Sequence, residues 1–210
     1  MAISVDIVLP VLNEEIGLRH SVTTLHGFLT QNCQEEWQIV IADNGSSDNT
    51  LTIATSLAME FPRVHAIHLG QRGRGRTLKR AWLESSADIV SYMDVDLSTD
   101  LHAFPQLITA IRDDGYDLAV GSRLTKDANV VGRSLKREIL SRGYNFLIKA
   151  MFQSHFSDAQ CGFKALSRHA ARLLLPLVED NGWFLDSEIL ILAEKLGFRI
   201  KDIPVNWTDD

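Results

Sequence analysis

The sequence is poor in three features that mark common protein classes: cysteine, long apolar runs and a surplus of positive charge. Its 210 residues include two cysteines, Cys33 and Cys161, too few for a disulfide framework or a zinc site, which favours a reducing, cytosolic setting. No apolar stretch approaches the ~20 residues that span a bilayer, and the first residues lack a signal-peptide pattern. A net charge of -6 argues against nucleic acid as the main partner, because phosphate backbones attract surplus lysine and arginine.

Two glycine-rich signatures of nucleotide-binding enzymes are also missing. No Gly-x-x-x-x-Gly-Lys-Ser/Thr occurs, and the first predicted strand leads into the acidic segment 10–15, where a dinucleotide-binding enzyme would carry Gly-x-Gly-x-x-Gly. These absences disfavour P-loop chemistry, hydride transfer and the synthesis of sugar nucleotides. No repeat, low-complexity tract or linker divides the chain, so we expect one domain over residues 1–210.

Short apolar runs alternate with helical patterns along most of the chain. Asn13 is expected to cap the first helix, with Glu14 and Glu15 in its first turn. The alternation implies right-handed crossovers, so the predicted fold class is α/β, a Rossmann-like single domain with a mostly parallel central sheet flanked by helices. The predicted strands are 5–9, 38–42, 64–69, 89–93, 117–121 and 162–167, with an edge strand at 199–207. Predicted helices include 51–61, 75–85, 101–113, 134–153 and 186–196.

Two aspartates, Asp94 and Asp96, directly follow the apolar run 89–93. Side chains alternate along an extended segment, so residues two apart can point the same way from the end of a strand. Carboxylates this close repel each other unless a cation lies between them, and a hard divalent ion that also binds substrate phosphates meets that need. Open α/β sheets bind ligands at the carboxyl ends of their strands, so the position predicts a metal-assisted phosphate site.

Three more polar loops are predicted at the same edge of the sheet, each with a simpler interpretation beside the functional one. Asn13 and Glu14 either contribute to a ligand site or only start a helix. In the segment 43–48, a serine or aspartate can cap the next helix, which leaves the Asp43 carboxylate to contact a base or ribose. The segment 70–76, with three glycines and three arginines, is either a diphosphate-binding loop or a solvated mobile one. This loop includes Gly73, Arg74 and Gly75.

The segment 132–153 is basic in an otherwise acidic chain. It carries five cations against one acid, Glu138, and apolar residues recur in it at helical spacing. A basic amphipathic helix can lie on an anionic membrane, with each cation adding about 1 kcal/mol. It can equally pack on its own domain with the basic face in water, and both interpretations stay open at this level. The cations are Arg133, Lys136, Arg137, Arg142 and Lys149, and the apolar stripe is Leu140, Tyr144, Leu147 and Met151.

Taken in order, these segments resemble the family-two glycosyltransferases of the GT-A fold, and within them the polyprenyl-phosphate sugar synthases of the dolichol-phosphate mannose synthase type. One such segment is weak evidence, whereas seven in the family's order, spread over nearly the whole chain, are specific. The Gln-x-x-Arg-Trp sequence of processive polysaccharide synthases is absent. The matching segments are 10–15, 43–48, 73–75, 94–96, 121–123, 158–164, and 184–188 leading to 203–207.

The resemblance implies a role for each matching residue. Asp94 and Asp96 would hold Mg²⁺ or Mn²⁺ against the donor diphosphate, with Ser98 near the metal. Asp186 would be the base if the acceptor were a hydroxyl, and it would share the sugar pocket with Glu188. The residues implied for nucleotide-sugar binding are Pro10, Asn13, Glu14, Asp43, Gly73, Arg74, Gly75, Val95 and Gln160. Those implied for the phosphate of an acceptor lipid are Arg123, Arg137 and Ser141.

The implied activity is metal-dependent, inverting transfer of a hexose from a GDP- or UDP-hexose donor to a polyprenyl phosphate such as dolichyl or undecaprenyl phosphate. It would take place on the cytoplasmic face of a membrane, which the segment Ser134–Gln153 would bind as an interfacial helix. Two other activities stay open: transfer to a soluble or protein hydroxyl, and non-catalytic nucleotide binding by a membrane-docking module. Relatives with this ending often continue further, so the chain is expected to be the catalytic part of a longer membrane-associated protein.

Overall fold

The computed structural model describes residues 3–208, and within that range the chain forms nine strands and seven α-helices. The strands are β1 (Ser4–Val11), β2 (Glu36–Asp43), β3 (Val64–His68), β4 (Ile89–Met93), β5 (Leu118–Ser122), β6 (Asn129–Val131), β7 (Phe163–Ser167), β8 (Ile200–Pro204) and β9 (Asn206–Thr208). The helices are α1 (Leu18–Asn32), α2 (Thr50–Glu60), α3 (Arg74–Glu84), α4 (Phe104–Arg112), α5 (Leu135–Phe152), α6 (Arg168–Leu174) and α7 (Leu185–Lys195).

Seven strands of this described range form one sheet in the order β3–β2–β1–β4–β7–β5–β8. β7 runs antiparallel to β4 and β5, whereas the other neighbours in this sheet are parallel. The carboxyl ends of β1, β2 and β4 therefore lie side by side at one edge, where an open α/β sheet binds its ligands. β6 and β9 pair in a separate two-stranded sheet close to that edge.

Helices cover both faces of the main sheet, so its central strands are apolar on both sides. On one face, Leu25 of α1 and Ile7 of β1 belong to a buried cluster that also includes residues of α2 and α4. On the other face, Val8 of β1 packs in a second cluster with Trp82 of α3 and Leu190 of α7. Every residue of β4 and β5 is buried. The sheet is thus a rigid support for the loops that leave its carboxyl edge.

The sequence predictions hold for the main sheet and fail at three places outside it. Asn13 does not cap α1, because that helix begins at Leu18, and both glutamates after Asn13 precede it. The predicted strand 199–207 breaks after Pro204, so that β8 stays at the sheet edge while β9 joins the small sheet. Residues 129–131 form β6, although they carry no buried apolar pattern and lie outside the predicted strands.

Helix α5 is attached to the domain by a narrow face and exposes apolar side chains on the opposite side. Its buried residues are Ser141, Asn145 and Ile148, and the Tyr144 hydroxyl lies 2.8 Å from Ser187 Oγ. The predicted apolar stripe is therefore split, because Tyr144 turns inward while the other three members face outward. Six large apolar residues of this helix are 57–83% exposed: Leu135, Ile139, Leu140, Phe146, Leu147 and Met151. Among residues 3–208, no helix combines the length and apolarity needed to cross a bilayer.

Candidate active site

Two cavities open at the carboxyl edge of the main sheet and meet at Asp96, which lines both. The first cavity, of about 550 Å³, is lined by Pro10, Val11, Leu12, Glu14, Asn44, Arg72, Gly73, Arg74, Asp94, Val95, Asp96, Gly182 and Trp183. The second cavity, of about 1000 Å³, is lined by Asp96, Ser98, Arg123, Arg133, Arg137, Ile139, Leu140, Ser141, Gly143, Tyr144, Phe146, Leu147, Gln160 and Trp207. Most of the predicted site residues line one cavity or the other.

The two aspartates stand in a tight turn directly after β4. The Asp94 amide donates to the Gly162 carbonyl (3.1 Å), and the Asp94 carbonyl accepts from Leu97, whose φ is +54°. Asp96 accepts the Ser98 amide at 3.0 Å and is exposed between the cavities. A Cβ built on Gly162 would overlap the Asp94 carboxylate, so only glycine leaves room for it there. The turn thus presents Asp94 to the first cavity and Asp96 to both cavities.

The donor set at this turn fits a hard divalent cation that shares its coordination with a ligand. Asp94 and Asp96 supply carboxylate oxygens, and the Ser98 amide donates to Asp96; the metal-binding role of these three residues stays a prediction. Within residues 3–208, no group of three or more His, Cys, Asp or Glu side chains could enclose a metal ion. Mg²⁺ and Mn²⁺ sites that bind through one or two carboxylates and take further oxygens from phosphates have this composition.

Beneath Asp94 lies a buried cluster of charges that the sequence did not reveal. Arg74 donates from Nη2 to Asp94 Oδ1 and from Nη1 to Asp186 Oδ2, both at 2.8 Å. The same Asp186 accepts from Lys164 Nζ (3.0 Å) and from the Tyr92 hydroxyl. Arg74, Lys164 and Asp186 are at most 9% exposed. Two cations and two anions are therefore paired here, which is the condition for burying charge.

The cluster sets the pKa values of its members. Burial opposes the charged form of Asp186, but the charges of Lys164 and Arg74 outweigh it and hold its pKa below the ordinary value. Burial, together with the charge of Asp186, raises the pKa of Tyr92 well above its ordinary value, so Tyr92 stays a hydrogen-bond donor. Burial also raises the pKa of Asp94, where Arg74 acts in the opposite direction and Asp186 and Asp96 in the same one.

These contacts do not favour two of the predicted roles. Asp186 is 5% exposed and accepts from three donors, so its carboxylate is not placed to take a proton from an acceptor. Arg74 lines the first cavity, but its guanidinium turns inward to the two aspartates instead of outward to a diphosphate. Both residues act on the site through Asp94.

A loop at the mouth of the first cavity, residues 179–184, is hydrogen-bonded to Glu188 and packs against Gly73 and Gly75. The Glu188 carboxylate accepts the amides of residues 179 and 180 at 3.0 and 2.9 Å. A Cβ on Gly73 would lie 2.7 Å from the Asn181 carbonyl, and one on Gly75 would lie 2.9 Å from the Gly182 carbonyl. Glycine at both positions therefore lets the start of α3 touch this loop. Gly75 and Glu188 do not line the first cavity.

Pro10 and Glu14 line the first cavity, whereas Asn13 and Asp43 do not. Asn13 has a φ of +58°, and its Oδ1 accepts the Ser47 amide at 2.8 Å, so it joins the loops after β1 and β2. Asp43 has no exposed surface and its Oδ2 lies 2.6 Å from His68 Nδ1. Asn44, next in sequence, lines the cavity instead. A contact of Asp43 with a base stays a prediction.

The second cavity brings together all three residues predicted for an acceptor phosphate, Arg123, Arg137 and Ser141. Arg123 is held from behind by Asp158, which accepts from Nε at 2.8 Å and from Nη2 at 3.1 Å. Burial opposes the charge of Asp158, but Arg123 outweighs it and lowers the pKa of Asp158. Gln160, predicted for the sugar, lines this cavity and not the first one.

Trp207 also lines the second cavity, although no role of its own was predicted for it. Arg123 and Arg133 lie against its ring, with their guanidinium carbons 5.6 and 5.7 Å from the ring centroid. Aromatic faces attract cations, so one indole positions two guanidinium groups. The signal that could have found Trp207 is its place at the end of the last matching segment. Lys164 likewise ends a matching segment, 158–164, whereas Tyr92 gave no such signal, because its neighbours come from distant elements.

Comparison with known proteins gives the following matches. A family model described as Glycosyl transferase family 2 matches residues 6–175. Glycosyltransferase AglD of Haloferax volcanii is 40% identical over 98% of this chain and 33% of its own length. Dolichyl-phosphate beta-glucosyltransferase of Dictyostelium discoideum is 31% identical over 99% of this chain and 67% of its own length. The chain thus spans about a third of the first relative and two thirds of the second.

Solved structures of similar fold include glucosyl-3-phosphoglycerate synthase from Mycobacterium tuberculosis. Its complex with uridine diphosphate superposes with a TM-score of 0.74 at 20% identity, over 99% of this chain and 72% of that one. Its complex with Mn²⁺ and UDP-glucose gives a TM-score of 0.69 at 21% identity, over 98% and 70%. At such identities the likeness shows the fold alone, a GT-A sheet with its helices.

Replacing Gly162 with alanine is expected to displace the Asp94 carboxylate, because the added Cβ would occupy its place. The variant should fold, since Gly162 does not need a positive φ, but it should bind Mn²⁺ in the presence of a nucleoside diphosphate on the order of tenfold more weakly or worse. Manganese binding is measured by electron paramagnetic resonance. Gly27→Ala is the control, because nothing lies within 4 Å of a Cβ there. Equal manganese affinity in both variants would contradict the placement of Asp94.

Replacing Lys164 with methionine is expected to lower the free energy of unfolding by about 3–5 kcal/mol at neutral pH, because it removes one partner of a buried pair. In the wild type, the pKa of Asp186 is lower in the folded than in the unfolded protein. This difference stabilises the fold at pH values above the ordinary aspartate pKa, and the stabilisation is lost as the pH falls through the folded pKa. Without Lys164 the pKa of Asp186 rises. At mildly acidic pH Asp186 is then protonated, which removes the free-energy cost of burying its charge without that partner.

The difference in unfolding free energy between wild type and Lys164→Met should therefore narrow as the pH falls. Urea denaturation at neutral and mildly acidic pH measures it. The control is Lys195→Met at the exposed end of α7, which should change little at either pH. A loss of stability for Lys164→Met that is the same at both pH values would refute the charge pairing.

Proposed function

The chain belongs to glycosyltransferase family 2, and we propose that it transfers a hexose from a nucleoside-diphosphate sugar to the phosphate of a polyprenyl lipid. The observation that carries this proposal is the second cavity, which combines arginines with exposed apolar side chains and meets the first cavity at Asp96. A phosphate would contact the arginines, while the lipid chain would follow the apolar residues of α5. The names of the relatives, dolichyl-phosphate beta-glucosyltransferases among them, agree with this acceptor.

The proposed donor lies in the first cavity, with its diphosphate beside Asp94 and Asp96. A divalent ion held there would stabilise the negative charge of the leaving diphosphate as a Lewis acid. Pro10, Leu12 and Asn44 would contact the nucleoside, and Arg74 would keep Asp94 in place. Mn²⁺ and UDP-glucose are the ligands to test first, because a solved structure of this fold contains both; GDP-hexose is the second choice.

The proposed acceptor explains why no side chain needs to act as a general base. A phosphate monoester has a second pKa of about 6, so it is largely dianionic at neutral pH and can attack without losing a proton. What it needs is orientation and charge neutralisation, which Arg123 and Arg137 would provide. The acceptor phosphate in the second cavity would attack the anomeric carbon of a sugar held in the first cavity. Its oxygen would bond that carbon on one face while the bond to the diphosphate breaks on the opposite face, which inverts the configuration.

We further propose that the outer face of α5 rests on a membrane surface. Exposed side chains of this size and number are rare on a soluble surface unless they bind something apolar. Leu135 at one end of the helix and Met151 at the other are 83% and 71% exposed. Lys136, Arg142 and Lys149 on the same helix add attraction to anionic lipids. A cytoplasmic-facing membrane surface is the location proposed with this activity.

Transfer to a soluble hydroxyl is the second candidate, since the solved glucosyl-3-phosphoglycerate synthase structures contain phosphoglyceric acid. A hydroxyl acceptor needs a base, and Asp186, which was predicted for that role, is buried in the charge cluster. The exposed apolar face of α5 would also have no use with a soluble acceptor. A non-catalytic membrane-docking module would bind lipid and nucleotide but transfer nothing.

The proposed activity is tested with labelled UDP-glucose or GDP-mannose, Mn²⁺ or Mg²⁺, and vesicles that contain polyprenyl phosphate. We expect label in the lipid fraction, and we expect Asp96→Asn to lower the rate about 100-fold or more, because it removes charge that holds the leaving group. Vesicle binding by Asp96→Asn should be unchanged. Label in a soluble hydroxyl acceptor would support the second candidate instead, and no transfer with intact vesicle binding would support the module.

Membrane docking is tested separately with the double variant Leu135→Ser and Met151→Ser, since neither residue lines the second cavity. Full burial of such a side chain contributes about 1.5–3 kcal/mol, so losing two partly inserted ones should weaken vesicle binding roughly tenfold or more. Co-sedimentation with vesicles of phosphatidylcholine and phosphatidylglycerol measures it. The control is Met59→Ser on α2, which is 80% exposed on another helix. Equal binding by both variants would exclude α5 as the docking face.

A further inference from the structure

Trp183 is the largest side chain in the first cavity, and it is 77% exposed. Tryptophan is mostly buried in folded proteins. An exposed indole at the mouth of a cavity therefore indicates that a ligand or partner contacts it. We propose that Trp183 is a specificity-determining residue whose open face stacks on the hexose of the donor. This inference rests on the proposed function, because it assumes a sugar-diphosphate in the first cavity.

The backbone that carries Trp183 is firmly held on both sides of it. Asp180 Oδ1 accepts the Gly182 amide at 2.7 Å and the Leu185 amide at 3.0 Å, which closes the loop around Trp183. The Asn181 carbonyl accepts the Arg76 amide at 3.2 Å, and this ties the loop to α3. An exposed tryptophan on a loop fixed in this way is pre-organised to bind, because little conformational freedom is lost when a ligand arrives.

One face of the indole is already occupied, which directs the ligand to the other. The guanidinium carbon of Arg74 lies 4.8 Å from the Trp183 ring centroid and 4.9 Å from that of Tyr92. The guanidinium of Arg74 thus lies against both aromatic rings, and the three side chains form one stack of contacts. Since Arg74 also pairs with Asp94, the stack fixes Trp183 relative to the predicted metal ligands.

The position of the stack indicates which part of the donor would reach Trp183. Asp94 and Asp96 fix the proposed diphosphate at the end of β4. Residues at the ends of β1 and β2 form the wall on one side of it, where the nucleoside is proposed to lie. Trp183 lies against Arg74, whose guanidinium reaches from Asp94 to Asp186 in the first turn of α7. The group attached to the diphosphate on that side is the sugar, whose C–H faces are apolar and pack well on an aromatic ring.

The test compares a nucleotide-sugar with the same nucleotide that lacks the sugar. Wild type, Trp183→Ala and Trp183→Phe are titrated with UDP-glucose and with UDP in the presence of Mn²⁺, and the pair GDP-mannose and GDP is measured in the same way. Trp183→Ala should bind the nucleotide-sugar about tenfold more weakly and the nucleoside diphosphate equally well, since only the sugar loses its contact. Trp183→Phe keeps an aromatic face and should recover most of the difference.

Each other outcome of this titration overturns the inference in a distinguishable way. Equal weakening of UDP and UDP-glucose would place the base, not the sugar, on Trp183. Unchanged binding of both, with weaker vesicle co-sedimentation of Trp183→Ala, would make Trp183 a membrane contact. If wild type bound no nucleotide or nucleotide-sugar with either metal, the proposed function would fail and the stacking role with it. Thermal unfolding of each variant, expected to match wild type because Trp183 is exposed, separates binding from folding.

Discussion

A single guanidinium, that of Arg74, joins the two carboxylates on which the site depends. It donates to Asp94 in the wall of the first cavity and to Asp186 in the interior. Buried charge is tolerated when it is paired and hydrogen-bonded, and Lys164 completes the pairing of Asp186. As a result, Asp94 has a fixed orientation before any cation or substrate arrives. Such pre-organisation is what lets charged groups stabilise a developing charge without rearrangement.

The same contact joins the elements that build the site. Arg74 starts α3, Asp94 follows β4, Lys164 belongs to β7, and Asp186 lies in the first turn of α7. Arg74 and Asp186 are 112 positions apart in the chain, yet their side chains bond directly. The ring centroids of Tyr92 and Trp183 lie 4.9 and 4.8 Å from the guanidinium carbon of Arg74. The carboxyl edge of the sheet is therefore a single packed unit in which a change at α7 reaches Asp94.

The sequence predicted where the site lies better than it predicted what each side chain does. Apolar runs marked the strands of the main sheet, and polar loops after those strands gave Pro10, Glu14 and the aspartate pair. Asn13, Gly75 and Glu188 were predicted from the same kind of polar segment but contact the backbone of neighbouring loops. Asn13 and Glu188 accept hydrogen bonds from backbone amides, and Gly75 packs closely against the backbone of Gly182. Those loops are distant in sequence, so the choice between a ligand contact and a packing contact is tertiary. The cluster around Arg74 was missed for the same reason.

The chemistry proposed for the acceptor follows from which acids the second cavity contains. Among the described residues that line it, Asp96 is the sole acid, and that residue is also proposed to hold the cation beside the leaving diphosphate. One carboxylate cannot both hold a cation and take a proton from an acceptor, because the bound cation removes its basicity. A hydroxyl acceptor would therefore lack a base on this side. A lipid phosphate already carries its charge, and the arginines around Trp207 supply the positive field that it requires.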